Sequence, residues 1–197
     1  EKEAKTAYAR SKFAAEREIW RGQGEGLSVA ALYPSIVIGA GDWDGESTPS
    51  LFKKVANGLK VYPTGSSGFV DVRDVAKATR IVLERNIDGD RFLLNGINLS
   101  WQAAFTHIAK SLNKQPPSIA VSPWLSAIAW PFATLAAKLT GRPAALTRDA
   151  HRTSQSQLSY DGEKILRETE FRYRNIEATF EDAGQAYLKA DGKTAWF

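Results

Sequence analysis

The sequence predicts an α/β fold built around parallel strands, and three observations lead there. Short apolar runs, above all residues 27–33, follow glycine turns and show almost no polar alternation, as strands covered on both faces do. Segments of helical period alternate with those runs along the chain. The 197 residues are 43% hydrophobic and 24% charged, enough apolar surface for one domain or one and a half and too much for a disordered chain.

Residues 3–22 predict a helix. Ala4, Ala7, Ala14 and Ala15 favour it, Phe13, Arg17 and Trp20 continue its turns, and Gly22, Gly24 and Gly26 end it. The run 27–33 predicts a buried strand ended by Pro34. Ser35-Ile36-Val37-Ile38-Gly39 carries the apolar character into a glycine-rich loop over 40–49. A helix over 50–59 has Ser50 near its cap and Leu51, Phe52, Val55 and Leu59 on one side. Gly65-Ser66-Ser67-Gly68 reads as a turn and 69–72 as a short strand. A helix then starts at Asp71 or Arg73 and runs to Arg85, with Val75, Ala78, Thr79 and Val82 on one face. After the turn at Asp88-Gly89-Asp90, residues 91–94 form a strand expected to run parallel to 27–33 in one sheet.

Ser100 caps a helix to about Leu112, with Trp101, Phe105, Ile108 and Leu112 on one face, and Pro116-Pro117 breaks it. Residues 119–121 are a strand or an extended link. An apolar helix over 124–140 follows Pro123. Its uncharged run, 122–137, is shorter than the roughly 20 residues that span a bilayer, and Pro131 should kink it. It reads as a core or subunit-contact helix; Trp124 and Trp130 make a membrane-surface helix the alternative. Residues 147–156 are helix or loop, Asp161 caps a helix through Glu168, and Asn175 or Glu177 starts a last helix to about Lys189.

Composition excludes several functions. With no cysteine there are no disulfides, thiolate metal sites or cysteine nucleophiles. The only two histidines, His107 and His151, lie on unrelated segments and argue against zinc. The net charge of +4 is spread among mixed signs, as in Glu16-Arg17-Glu18, without the dense basic block of a nucleic-acid binder. No charged stretch leads into an apolar run as in a signal peptide, so a reducing, cytoplasmic setting is expected. The chain begins with Glu1 and contains no Met, which reads as a piece of something larger.

Tyr8-Ala9-Arg10-Ser11-Lys12 places a phenol and an ammonium four residues apart, on one helix face and one turn apart. A nearby cation favours the phenolate and brings its pKa down toward working pH. Such a tyrosine can exchange a proton with a carbonyl or alcohol oxygen, and the lysine can donate to ribose hydroxyls. Taken alone the pattern is weak, since any helix with Tyr and Lys produces it.

Context makes it specific. Ser11-Lys12-Phe13-Ala14-Ala15-Glu16 continues the helix, Pro34-Ser35-Ile36-Val37-Ile38-Gly39 follows the first strand, and Phe69-Val70-Asp71-Val72-Arg73-Asp74-Val75-Ala76 comes some thirty residues later. In this order and spacing they resemble the extended short-chain dehydrogenase/reductases, the NAD-dependent epimerase/dehydratase family, and within it the dihydroflavonol reductase-like branch. The resemblance covers about residues 1–115 well and the closing segment, from Tyr160-Asp161 to Tyr187, more loosely.

That resemblance implies the C-terminal part of a doubly wound, Rossmann-like parallel sheet with a small, mainly helical substrate lobe. Residues 1–49 and 63–116 would be the remnant of the dinucleotide-binding domain; 50–62 and 117–197 would form the substrate lobe and C-terminal helices. It implies an oxidoreductase that uses NAD or NADP to reduce a carbonyl or oxidise a secondary alcohol. A sugar-nucleotide epimerase or dehydratase, or a non-catalytic reductase-like scaffold, stand as alternatives. Tyr8 would be the acid/base and Lys12 would hold the nicotinamide ribose, with Pro34, Ser35, Ile36 and Val37 meeting the nicotinamide end. Asp42, Trp43, Phe52 and Arg73 would line the substrate cleft. The family's glycine-rich phosphate turn, its ribose-reading residue and its upstream Ser or Thr are not in residues 1–197. The missing N-terminal half of the same protein is thus an expected partner, beside a small-molecule substrate and a possible second copy, and residues 1–197 alone are expected to be inactive. The remaining features read plainly. Asp42-Trp43-Asp44-Gly45-Glu46 lacks the spacing of a calcium loop, so no metal is expected. Gly65-Ser66-Ser67-Gly68 precedes a strand and is no phosphate cradle. Asp71 reads as a helix cap.

Overall fold

Helix α1 (Ala7–Gly24) leads through a turn into β1 (Ala30–Pro34) and β2 (Ile36–Ile38). Then follow α2 (Ser50–Ala56), β3 (Val61–Pro63), β4 (Ser66–Asp71), α3 (Val72–Glu84), β5 (Asp90–Leu94), β6 (Ile97–Ser100), α4 (Trp101–Ser111), β7 (Ile119–Val121), α5 (Lys164–Glu168) and α6 (Ile176–Lys189). This computed structural model describes residues 7–45, 47–121 and 155–191. The expected helix over 124–140, His151 and Glu46 lie outside them.

The apolar, unalternated run does form a parallel strand. β1 pairs with β5 in parallel, from Ala30↔Asp90 to Pro34↔Leu94. It begins at Ala30 and not at Leu27, because the residues before it complete the turn and Val29 N–H donates to Asp88 Oδ1 at 2.6 Å. At Ser35 the chain changes partners. Ser35 N–H donates to Leu94 O at 2.9 Å, and the next residue, Ile36, already pairs with Phe69 of β4. β2 runs parallel to β4, and β4 runs antiparallel to β6. β3 and β7 pair in parallel beside them.

Two expectations are corrected here. Residues 65–68 do not form a turn, because Ser66, Ser67 and Gly68 are already strand, paired with Ser100, Leu99 and Asn98 of β6. Glycine serves close packing there: a Cβ on Gly68 would lie 2.1 Å from Asn95 Oδ1 and 2.8 Å from the Tyr160 ring. The helix expected over 50–59 stops at Ala56, with Pro49 at its N-cap and Gly58 at a φ of +82° ending it. β3 and β6 had no sequence signal, since each is three or four residues long.

Three helix caps fall where the sequence puts them. Asp71 Oδ1 accepts from Arg73 N at 2.7 Å, Ser100 Oγ from Ala103 N at 3.1 Å and Asn175 Oδ1 from Ala178 N at 3.1 Å. Asp161 instead makes a turn, accepting from Glu163 N at 2.8 Å, and Glu163 occupies the N-cap of α5.

Two apolar cores share β4. Phe69, with Ile38, Phe52, Phe105, Ile108 and Phe180, fills the space between β2, β4 and helices α2, α4 and α6. The next residue, Val70, points to the opposite face and joins Phe92, Leu94, Ala78, Ile165 and Phe171 beneath β5, α3 and α5. Covered on both faces, β4 is buried over 67–71. Among the described residues, α1 contributes no side chain to either core. No described helix is long and apolar enough to cross a membrane.

Candidate active site

The placement of α1 follows from three contacts at successive levels of the β1–β5 sheet. Gln23 reaches Gly89, Trp20 lies under the Arg91 guanidinium at 4.3 Å, and Glu16 accepts from the Tyr33 hydroxyl at 2.6 Å. Moving back along the helix moves forward along the strands, so α1 runs antiparallel to β1. At 1.5 Å per residue, Lys12 lies about 6 Å and Tyr8 about 12 Å past the level of Glu16 and Tyr33. Both are thereby carried beyond the carboxyl end of β1, where Pro34 and Ser35 stand. Lys12 Nζ sits 5.7 Å from the Tyr8 ring centroid, and Tyr8 is 72% exposed. The two share one face, as i,i+4 spacing requires.

Where the strand changes partners, a cavity of about 410 Å³ opens, lined by Tyr33, Pro34, Ser35 and Ile36 with Trp101 and Tyr160 among the remaining walls. Open α/β sheets bind ligands outside the carboxyl ends of their strands. Ser35 Oγ is buried there without a hydrogen-bond partner. β2 pairs on one side only among the described residues, so Ile36 and Val37 present backbone groups along an open edge.

Asp42, Trp43, Phe52 and Arg73 are not brought together. Trp43 and Phe52 are 2% and 0% exposed inside the first core, with ring centroids 5.9 Å apart, so they line no cleft. Asp42 Oδ1 accepts from Asp44 N and Gly45 N and closes a turn. Arg73 lines a separate cavity of about 290 Å³ with Gly39, Ala40, Asp71, Thr179 and Asp182. His107 stacks on Phe180 with centroids 5.3 Å apart.

The cluster at Asp71 joins α3 to α6. Asp71, 2% exposed, accepts from Arg73 Nη2 at 2.6 Å and from Thr179 Oγ1 at 2.8 Å, while Arg73 Nη1 donates to Asp182 at 2.8 Å. Burial pushes the Asp71 carboxyl up, but the bonds from Arg73 and Thr179 outweigh it and hold its pKa below the usual range. Asp74, equally buried, accepts from Arg174 N at 2.9 Å; burial first, and then the Asp71 charge, push its pKa up. The two carboxyls therefore act with opposite sign. The contribution of Asp71 is complete above the ordinary carboxylate range and is lost as pH falls through its lowered folded value. Ionising Asp74, as pH rises through its raised folded value, weakens the fold. Asp71→Asn should cost about 2 kcal/mol at pH 7, with the gap to wild type closing in acid. Asp74→Asn, which keeps an acceptor for Arg174 N, should be no less stable than wild type at pH 7. Urea unfolding across pH tests both, and equal losses in the two variants would show Asp74 ionised and paired like Asp71.

Sequence reasoning missed Glu16 and Tyr33 as site-building residues. The signal was the stripe at 8, 12, 16 and 20, each four residues from the last. Trp101, Leu158 and Tyr160 left no signal, because only the fold brings them to Ser35.

The described residues thus form an α/β fold in which a helix carrying Tyr-x-x-x-Lys runs antiparallel to a parallel strand, with a cavity at that strand's end. Residues 1–94 match the model of the NAD dependent epimerase/dehydratase family. The chain is 28% identical over 185 residues to a dihydroflavonol 4-reductase-like protein of Synechocystis sp., covering 90% of this chain and 53% of that one. A solved nucleoside-diphosphate-sugar epimerase from Pseudomonas aeruginosa superimposes with a TM-score of 0.75 at 22% identity, over 96% of this chain and 58% of that one. UDP-glucose 4-epimerase of Thermus thermophilus, solved with NAD, gives 0.64 at 20% identity, over 94% and 55%. The chain thus spans about half the length of the relatives it matches.

Proposed function

We propose that residues 1–197 form the nicotinamide-side and substrate-side part of an NAD- or NADP-dependent oxidoreductase acting on a carbonyl or secondary alcohol. The observation that carries this reading is the antiparallel seating of α1, which sets Tyr8 and Lys12 past the end of β1 at which the cavity at Ser35 opens, although neither side chain is among its walls. The partnerless Ser35 Oγ and the open edge of β2 suit the carboxamide of a nicotinamide, and the Lys12 ammonium suits ribose hydroxyls. When bound, that ring supplies or accepts a hydride. Tyr8 gives its phenolic proton to the substrate oxygen as a carbonyl becomes an alcohol and takes it back in the reverse direction. Lys12 keeps a positive charge beside the phenolate so formed. In this reading α1 and the strands β1 and β5 belong to a dinucleotide-binding unit, with α2, β3 and β7 toward a substrate lobe.

The described walls of the cavity carry no charged side chain. That suits an uncharged nicotinamide ring and an uncharged reacting group, a carbonyl or alcohol, next to it. The test is hydride transfer followed at 340 nm, in the protein that carries residues 1–197 together with a glycine-turn dinucleotide-binding half. Neutral ketones and nucleotide sugars are offered in parallel. Turnover of ketones is the expected result. Interconversion of nucleotide-sugar epimers without net cofactor consumption would favour the epimerase alternative, and inertness toward both would favour a non-catalytic scaffold.

A further inference from the structure

Among the described residues, α1 meets the rest of the fold through a small set of contacts. Tyr8, Phe13 and Ile19 are exposed, and the helix buries nothing in either core among the described residues. Among the described residues, then, no apolar packing sets its rotation about its own axis. What sets it is a polar knot at mid-helix. Glu16 Oε1 accepts from Tyr33 Oη at 2.6 Å and from Trp20 Nε1 at 3.1 Å, and Arg91 Nη1 lies 3.8 Å away while its guanidinium covers Trp20. The Glu16 side chain is 29% exposed and Arg91 58%, so the ion pair is screened; the short charge-assisted bond from Tyr33 is the strong contact. Consistent with this, the Tyr33 bond is the leading cause that holds the Glu16 carboxyl below its ordinary pKa.

Tyr33 is also the residue before Pro34, and it lines the cavity at Ser35. One bond thus ties the wall of that cavity to the helix stripe that carries Lys12 and Tyr8, one and two steps of four residues away. We infer that Glu16, held by the Tyr33 hydroxyl, is a positioning residue: it fixes the rotation and tilt of α1 so that Tyr8 and Lys12 project over the carboxyl end of β1. The inference rests on the proposed roles of Tyr8 and Lys12. Reacting groups displaced by about 1 Å lose on the order of 100-fold in rate, so a helix freed to roll should show its loss in kcat.

The chain has no cysteine, so pairs of introduced cysteines label cleanly. Nitroxides at Arg10→Cys and Lys114→Cys report the distance from α1 to the α4 end of the fold. A narrow distribution is expected in the parent and in Glu16→Gln, whose amide oxygen still accepts from Tyr33. A broad one is expected in Glu16→Ala and Tyr33→Phe, with the thermal midpoint little changed. In the protein that also carries the dinucleotide-binding half, Glu16→Ala and Tyr33→Phe should lower kcat about 100-fold. KM for the cofactor and the pH profile should hold, and Glu16→Gln should restore most of the rate. Unaltered distances in Glu16→Ala and Tyr33→Phe, or an unaltered kcat in an active parent, overturn the inference. A parent without hydride transfer instead overturns the reading of Tyr8 and Lys12, whatever the distances.

Discussion

Titrated with NADH or NADPH, a polypeptide of residues 1–197 should show no measurable binding by calorimetry. A dinucleotide draws much of its affinity from pyrophosphate oxygens on a glycine turn at a helix N-terminus, and from a side chain that reads the adenine ribose. The sequence contains no strand followed by such a turn. What it offers is Lys12, Tyr8, Ser35 and the edge of β2. Forgoing three charge-assisted contacts of about 1.5–3 kcal/mol each weakens binding by roughly three to six orders of magnitude. The same polypeptide leaves one edge of β1 unpaired among the described residues and exposes Tyr8, Phe13, Ile19, Leu27 and Leu83. Parallel strands are normally interior, and a bare edge beside apolar surface recruits another chain. Light scattering on the titrated sample should therefore find dimers or larger species. A clean monomer with micromolar affinity would show that the groups present suffice by themselves.

Tyr8→Phe should reduce hydride transfer by about 10²–10⁴-fold in the protein that carries a dinucleotide-binding half, the usual worth of a positioned acid/base. The substitution keeps the ring on its exposed helix face and removes only the oxygen, so helix content and cofactor affinity should hold. Lys12→Ala should differ in kind. It removes the cation beside the Tyr8 ring and a donor to the ribose, raising KM for the cofactor as well as lowering kcat. Steady-state kinetics separates the two. A Tyr8→Phe enzyme within tenfold of its parent would remove Tyr8 from the chemistry, and another proton donor would then be sought on the walls of the Ser35 cavity.

Much of the geometry of the candidate site was legible because its signals are local. The i,i+4 spacing of Tyr8 and Lys12 puts them on one face in any helix, and the unalternated run before Pro34 marks a strand covered on both sides. Asp71, Ser100 and Asn175 cap helices through bonds spanning two or three residues, so neighbours alone suffice to predict them. Residues 65–68 misled for the same reason. Glycine and serine have turn chemistry locally, yet a partner strand thirty residues away and Tyr160 above make them strand. Trp43 misled in a similar way. An aromatic in an acidic, glycine-rich loop looks like a cleft wall, but it is drawn into the core by Phe52 and by Tyr187, far along the chain.

The sequence by itself determined the α/β class, the parallel sense of β1 and β5, the boundaries of the described helices to within a few residues, and the shared face of Tyr8 and Lys12. Only the tertiary structure decided where that face looks. Glu16 meets Tyr33 across 17 residues, Ser35 meets Leu94 before the strand crosses to β4, and Asp71 meets Thr179 across 108 residues. Helical period and capping are set by bonds within one turn and so are written in short windows of sequence. The roll of α1, the cavity at Ser35 and the opposite pKa shifts of Asp71 and Asp74 depend on which distant groups the two cores press together, and no short window contains both partners.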